Sequence, residues 1–245
     1  MDNVTLITGG SRGIGAATAR LCGAAGHAVA VAYREDEAAA RAVCAAVEAA
    51  GGTAMAVQGD TGVEADILRM FKAVDDAFGP LTGLVNNAGV HGPRGRLEKL
   101  SGADIDRVLH VNIRGPFLCC REAVKRMSTR HGGKGGAIVN VSSGSARLGA
   151  PGEGVLYAAS KGGLNSLTIG LSQEVAAEGI RVNTVAPGLT ATDMPGPEKL
   201  AELGPRLPIG RVARPEEIAE AIVWLLSDKA SYTSGANLRV GGGRI

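Results

Sequence analysis

Short apolar runs alternate with longer helical patterns along the whole chain, and this alternation constrains the fold more than any single residue does. Residues 4–8, 28–33, 54–58 and 83–86 read as the first strands, and 137–141, 181–186 and 237–240 as the later ones. Helical stretches fall between them at about 13–25, 36–50, 63–78, 103–129, 155–178 and 215–227. Consecutive strands joined through helices pair in parallel and carry helices on both faces of the sheet. The strands are apolar throughout, as a sheet covered on both faces requires. The expected class is α/β, a three-layer αβα sandwich. No proline- or serine-rich linker and no internal repeat divides the chain, so one domain is expected over residues 1–245.

The chain of 245 residues is long enough for one sizeable core. Apolar residues make up 45% and aromatic residues 3%, so that core must be built from Ala, Val, Leu and Ile. A net charge of +2 gives no support to a nucleic-acid or anionic-membrane partner. Cys22, Cys44, Cys119 and Cys120 have no CxxC or zinc-like spacing and read as reduced, buried thiols. His27, His91, His110 and His131 are scattered, so no metal is expected. No apolar run reaches the ~20 residues of a membrane span. The chain also starts directly on a strand pattern, and the expectation is a cytoplasmic protein.

Ligands of open parallel sheets bind beyond the C-terminal ends of the strands. Segment 91–97, after the fourth strand, and segment 190–208, after the sixth, are therefore placed to shape a pocket. Segment 131–136 lies at the opposite end, before the fifth strand. Segment 190–208 carries four prolines and reads as a substrate lid, with Leu200, Leu203 and Leu207 as an apolar wall. Arg94, Arg96 and Arg147 read as surface charges that can also meet a substrate anion.

Thr8-Gly9-Gly10-Ser11-Arg12-Gly13-Ile14-Gly15 follows the first strand and opens the first helix. Glycines there let the backbone turn sharply and approach a pyrophosphate, whose charge sits at the helix N-terminus. A dinucleotide site is expected on Gly9, Ser11, Arg12, Gly13, Ile14 and Gly15. An NAD site wants a carboxylate at the end of the second strand; this chain has Tyr33 and then Arg34. Arg34 with Arg12 suits a 2′-phosphate, so NADP(H) is expected over NAD(H). Asp60, followed by Thr61 at the end of the third strand, can meet the adenine amino group, and either residue equally suits a helix N-cap.

Tyr157 and Lys161 stand four residues apart, one helical turn, with Ser142-Ser143 upstream. A free phenol has a pKa of ~10, and a neighbouring ammonium favours its ionised form. The set supplies a proton donor, a cation to acidify it and a hydroxyl to polarise a carbonyl.

These motifs together resemble the short-chain dehydrogenase/reductase family, in its shorter subgroup rather than the longer epimerase-like one. Residues 8–15 match its TGxxxGxG, Asn86-Asn87-Ala88-Gly89 its NNAG, and Asn112 its active-site asparagine. Ser143, Tyr157 and Lys161 match its catalytic serine and YxxxK, and Pro187-Gly188 its PG turn. The chain looks nearest to bacterial 3-oxoacyl carrier-protein reductase-like and glucose dehydrogenase-like members. The stretch from Ser143 to Tyr157 is one residue longer than is usual there. Ser143 is preferred to Ser142 because Gly149 then falls on the family's loop glycine.

The resemblance implies a Rossmann doubly wound sheet of seven parallel strands, order 3-2-1-4-5-6-7. It also implies hydride exchange between a nicotinamide and a small carbonyl or alcohol substrate. Tyr157 would act as general acid or base, and Lys161 would acidify it and bond the nicotinamide ribose. Ser143 would bond the carbonyl oxygen, and Asn112 would hold a water. Asn87, Ala88, Gly89, Pro187, Gly188 and Thr190 would line the cofactor site. The implied assembly is a homotetramer, or at least a homodimer. The small-residue stripe of Ala158, Gly162, Ser166 and Gly170, beside Leu164, Leu167, Leu171 and Val175, is a helix face suited to it.

Overall fold

A computed structural model describes residues 3–244; the expected domain limits at Met1 and Ile245 lie outside them. Seven strands form one sheet in the order β3-β2-β1-β4-β5-β6-β7, with every neighbouring pair parallel. They are β1 (Val4–Ile7), β2 (Ala28–Tyr33), β3 (Thr53–Gln58), β4 (Gly83–Asn86), β5 (Gly136–Val141), β6 (Ile180–Pro187) and β7 (Asn237–Val240). The order reverses between β1 and β4, which opens a crevice at their C-terminal ends. The two edge strands, β3 and β7, are partly exposed, unlike the wholly buried β1, β2 and β4.

Helices α1 (Gly13–Ala24), α2 (Glu37–Ala49) and α9 (Pro215–Leu226) cover one face of the sheet. Helices α3 (Glu64–Phe78), α4 (Gly102–Leu109), α5 (Gly115–Met127), α6 (Ser145–Leu148), α7 (Val155–Val175) and α8 (Pro197–Leu203) complete the set, and α3, α5 and α7 cover the other face. Successive strand residues point to opposite faces, so Ala28 and Ala30 join one core while Val29 and Val31 join the other. Burying each Val, Leu or Ile contributes roughly 1.5–3 kcal/mol, and small strand alanines let the helices lie close.

A column of polar side chains runs through the apolar layer on the α5–α7 face. Asn86 and Asn140 are register partners on β4 and β5, and Asn86 Nδ2 donates to Asn140 Oδ1 at 2.9 Å. Asn140 Nδ2 donates to Thr168 Oγ1 at 2.9 Å, and Thr184 Oγ1 donates to the same Thr168 oxygen at 2.7 Å. All four residues are buried. An unmade bond there would cost ~1–3 kcal/mol, so the column fixes how α7 sits on β4–β6.

Three expected elements differ. The helix expected over 103–129 is α4 and α5 joined by a π-helical turn, His110–Arg114. The cause is Asn112 in that turn, whose side chain is drawn out to clamp Val90. The helix expected to 178 ends at Val175 and tightens into a 3-10 turn closed by left-handed Gly179. Segment 190–208 contains α8, which starts on Pro197 after Gly196 at φ 82°. Proline suits the first turn of a helix, where its missing N–H would be unpartnered anyway.

Candidate active site

A cleft of about 950 Å³ lies across the C-terminal ends of β1 to β6. The glycine loop forms its floor. Gly9 and Gly13 have φ of 61° and 54°, in the left-handed region. A methyl on Gly15 would stand 2.3 Å from Gly9 O and 2.6 Å from Asn87 Nδ2, so only glycine permits this packing. Asn87 Nδ2 donates to Thr8 O at 3.0 Å and Gly9 O at 2.9 Å. The Thr8 hydroxyl accepts from Asn87 N at 3.0 Å and Ala88 N at 3.1 Å. The two motifs are thus stitched together where the strand order reverses. Helix α1 begins without a side-chain cap and without an acid in its first turn, leaving its N-terminal N–H groups for an anion.

At the end of β2, Arg34 lines the cleft and pairs with Glu35 at 2.6 Å. Asp36 caps α2, accepting from Ala39 N at 2.9 Å. Arg12 pairs with Asp193 of the 190–208 segment at 3.6 Å. Asp60 and Thr61 line the cleft, but neither caps α3. Asp60 Oδ1 instead accepts from Gly62 N at 2.8 Å, and the N-cap of α3 is Val63.

The catalytic-type side chains close the inner end. Ser142 and Ser143 take different roles in the fold. Ser142 is 3% exposed and its Oγ donates to Lys161 O at 2.9 Å. The Ser143 hydroxyl lies within reach of the Tyr157 phenol and accepts from Ser145 N at 3.1 Å. Lys161 is 3% exposed, donates to Val141 O at 2.8 Å, and holds Nζ 5.8 Å from the Tyr157 ring centroid. A methyl on Gly89 would stand 3.1 Å from that Nζ, so the fourth-strand motif ends bare to make room for the amine.

The direction of one expected effect is reversed. Burial pushes the Tyr157 phenol above its ordinary value, with Ser143 pulling the other way. Burial acts on the amine as well, lowering the pKa of Lys161 from 10.5 to about 8.

Of the expected site residues, Gly9, Ser11, Arg12, Gly13, Ile14, Arg34, Asp60, Thr61, Asn87, Ala88, Gly89, Ser143, Tyr157, Lys161, Pro187, Gly188 and Thr190 all line the cleft, whereas Gly15 and Asn112 lie behind its wall. Asn112 is fully buried. Its Oδ1 accepts from Val90 N at 2.8 Å, and its Nδ2 donates to Val90 O at 2.8 Å and Ser160 Oγ at 3.0 Å. Those bonds use both amide N–H groups and one of the two acceptor sites of Oδ1. Thr190 Oγ1 donates to Gly188 O at 3.1 Å. Of the expected apolar wall only Leu203 reaches the cleft, joined by Leu148, Leu189 and Met194; Leu207 is buried away from it. Arg94 lines the cleft, while Arg96 and Arg147 do not.

Sequence reasoning missed His91, Glu153 and Lys199. Glu153 pairs with both Arg94 and Lys199, and Arg94 also donates to Met194 O at 3.1 Å. Glu153 sits in the stretch one residue longer than the family pattern, and that extension was the one available signal. Ala150 in the same stretch has φ of 44°, the only left-handed non-glycine among the described residues.

A family profile described as enoyl-(acyl carrier protein) reductase matches residues 9–244. The uncharacterized oxidoreductase YgfF of Escherichia coli is 50% identical over 245 residues, covering 98% of this chain and 99% of that protein. Cis-4-hydroxycyclohexanecarboxylate dehydrogenase of Sinomonas cyclohexanicum is 41% identical, covering 99% of this chain and 96% of that protein. A short-chain dehydrogenase from Burkholderia cenocepacia, solved in complex with NADP, has a TM-score of 0.91 at 35% identity, covering 99% and 97% of the two chains. The chain belongs to the short-chain dehydrogenase/reductase family and is an oxidoreductase of the NAD(P)-dependent kind, acting at CH–OH or carbonyl carbons.

Replacing Lys161 by Met should raise stability at pH 7 by roughly 1–3 kcal/mol in urea melts while abolishing turnover, because a buried ammonium is removed. The folded pKa of Lys161 lies below its unfolded value of 10.5. The folded state therefore holds fewer protons between about 8 and 10.5, and wild-type stability climbs with pH across that window. The advantage of Lys161→Met should shrink over the same range; a constant difference, or a less stable variant, would contradict the assignment.

Proposed function

We propose that this protein interconverts ketones and secondary alcohols with NADP(H), Tyr157 giving or taking the proton. The observation that carries this reading is the meeting, in one cleft, of an uncapped helix N-terminus under a glycine loop and a buried Tyr157–Lys161 pair beside half-buried Ser143. A dinucleotide sensor without turnover would need the first feature but not the second.

The residues present fit the cofactor. Gly9, Ser11, Arg12, Gly13 and Ile14 would hold the pyrophosphate. Arg34 and Arg12 would meet a 2′-phosphate, which would replace the exposed carboxylates of Glu35 and Asp193 as their partners, while Asp36 is committed to capping α2. Asp60 and Thr61 would face the adenine, and Asn87, Ala88, Gly89, Pro187, Gly188 and Thr190 the remainder. The nicotinamide, when bound, supplies or accepts the hydride.

Tyr157 enters the reaction protonated, since burial holds its pKa up, and donates to the carbonyl oxygen as negative charge grows there. Ser143 steadies that oxygen with its hydroxyl. Lys161 favours the phenolate left behind. Asn112 acts from behind the wall, clamping Val90 against Ser160, the neighbour of Lys161.

Segment 190–208 is proposed as a lid within a single 1–245 domain, tied down through Asp193 and through Lys199 to Glu153. Its Met194 and Leu203, with Leu148 and Leu189, favour an aliphatic or alicyclic ketone over a sugar or polyol. A carrier-protein thioester is less favoured, because Arg130 and Lys134 stand before β5, at the end of the sheet opposite the cleft, and the cations at the mouth are committed to Glu153. A methyl on Gly170 would meet nothing, and Ser166 and Ile169 are exposed. The Ser166 and Gly170 end of the stripe on α7, unlike buried Ala158, is thus open to a second copy, which supports the homodimer and a homotetramer built from it. The buried, unpaired cysteines agree with the cytoplasm.

Tyr157→Phe should lower kcat by about 10²–10⁴-fold with any accepted ketone while NADPH still binds; near-normal turnover would refute the proton donor. Arg34→Asp should move the NADP/NAD ratio of kcat/KM toward NAD by at least about tenfold, and an unchanged ratio would show that Arg34 does not read the phosphate.

A further inference from the structure

His91 follows the Asn86-Asn87-Ala88-Gly89 run by two residues and lines the cleft beside Tyr157. Its ring stacks on the phenol, with centroids 4.8 Å apart and planes 18° from parallel. Its Cε1–Nε2 edge faces Gly154, the residue before α7, where a methyl would stand 2.9 Å and 3.0 Å from those two atoms. Its Nδ1 lies 3.3 Å from Gly92 O. The imidazole is thus held between a bare stretch of backbone and the phenol. Burial lowers its pKa, against the Gly92 carbonyl, which raises it, so an uncharged ring faces Tyr157.

Tyrosine χ2 is a soft, roughly two-fold torsion, so the plane of a phenol must be fixed from outside. Lys161 Nζ stays 5.8 Å from the ring centroid, and Ser143 reaches only the hydroxyl. We infer that His91 is a positioning residue for the proton donor: its stacked ring fixes the plane of the Tyr157 phenol, and so the direction of its O–H, without itself exchanging a proton. The inference rests on Tyr157 as proton donor. Small errors of aim at a reacting group are costly in rate.

The test compares His91→Phe, which keeps a stacking ring, with His91→Leu, which fills space without one, each assayed for NADPH oxidation, NADPH affinity and melting temperature. His91→Leu should lose about three- to tenfold in kcat, and His91→Phe should stay within about twofold of wild type. NADPH affinity should be unchanged in both. Gly154→Ala, which pushes the ring from its edge and leaves His91 in place, should reproduce the loss and stands in if His91→Leu melts far below wild type. A wild-type kcat in His91→Leu, or equal losses in Leu and Phe, would overturn the inference. Tyr157→Phe separates the two failures: an active Tyr157→Phe removes the premise, whereas an inactive Tyr157→Phe beside a fully active His91→Leu removes only the stacking role.

Discussion

Everything at the cleft depends on how the end of β4 grips the turn after β1. Thr8 and Asn87 exchange bonds across the point where the strand order reverses, the Asn87 amide holding two carbonyls of the glycine loop and the Thr8 hydroxyl serving two N–H groups of the facing strand end. Gly15 packs within contact distance beneath them. This stitch holds the loop open at the N-terminus of α1 and sets Gly89 against Lys161, so one set of bonds positions both halves of the site. The NNAG motif therefore acts first as architecture and only then as a cofactor wall.

The inner end is held in a state that costs stability. Lys161 is an ammonium group buried to 3% exposure with a backbone carbonyl as hydrogen-bond partner. Tyr157 is a phenol kept protonated by its apolar surroundings. Neither would persist on a loose scaffold. The buried column from Asn86 to Thr184 locks α7, which carries both residues, to three strands. The outer wall is the reverse. Segment 190–208 is joined to the rest of the cleft by exposed or half-exposed ion pairs at Asp193 and Lys199 and by the bond from Arg94 to Met194 O. Exposed pairs are weak and salt-screened, which suits a wall that must part to admit substrate.

The class of fold and the floor of the site were legible in the residues. The limits of β2 and β4 match those read from apolar runs, because buried parallel strands are continuous apolar runs with abrupt ends; those of the partly exposed edge strand β7 match as well. The glycine loop was legible because glycine spacing there answers to backbone geometry alone. What stayed hidden depends on contacts across the fold. The π turn at His110–Arg114 arises from a bond between Asn112 and Val90, twenty-two residues apart. Helix α8 was masked by the prolines of its segment, one of which, Pro197, in fact opens it. The shift of Tyr157 ran opposite to the pairwise expectation because burial of the phenol, invisible in a sequence, outweighs the bond from Ser143. His91 looked like one of four scattered histidines until the fold laid it on Tyr157.

The dependence of the site on the Thr8–Asn87 stitch is tested most directly by calorimetric titration of wild type and Asn87→Ala with NADPH. Two bonds to the loop backbone are lost in the variant, each worth ~0.5–1.5 kcal/mol. The expected result is one NADPH bound per wild-type chain and a roughly tenfold or greater loss of affinity in Asn87→Ala at unchanged stoichiometry. Equal affinity in the two proteins would contradict the claim that this crossing shapes the dinucleotide cleft.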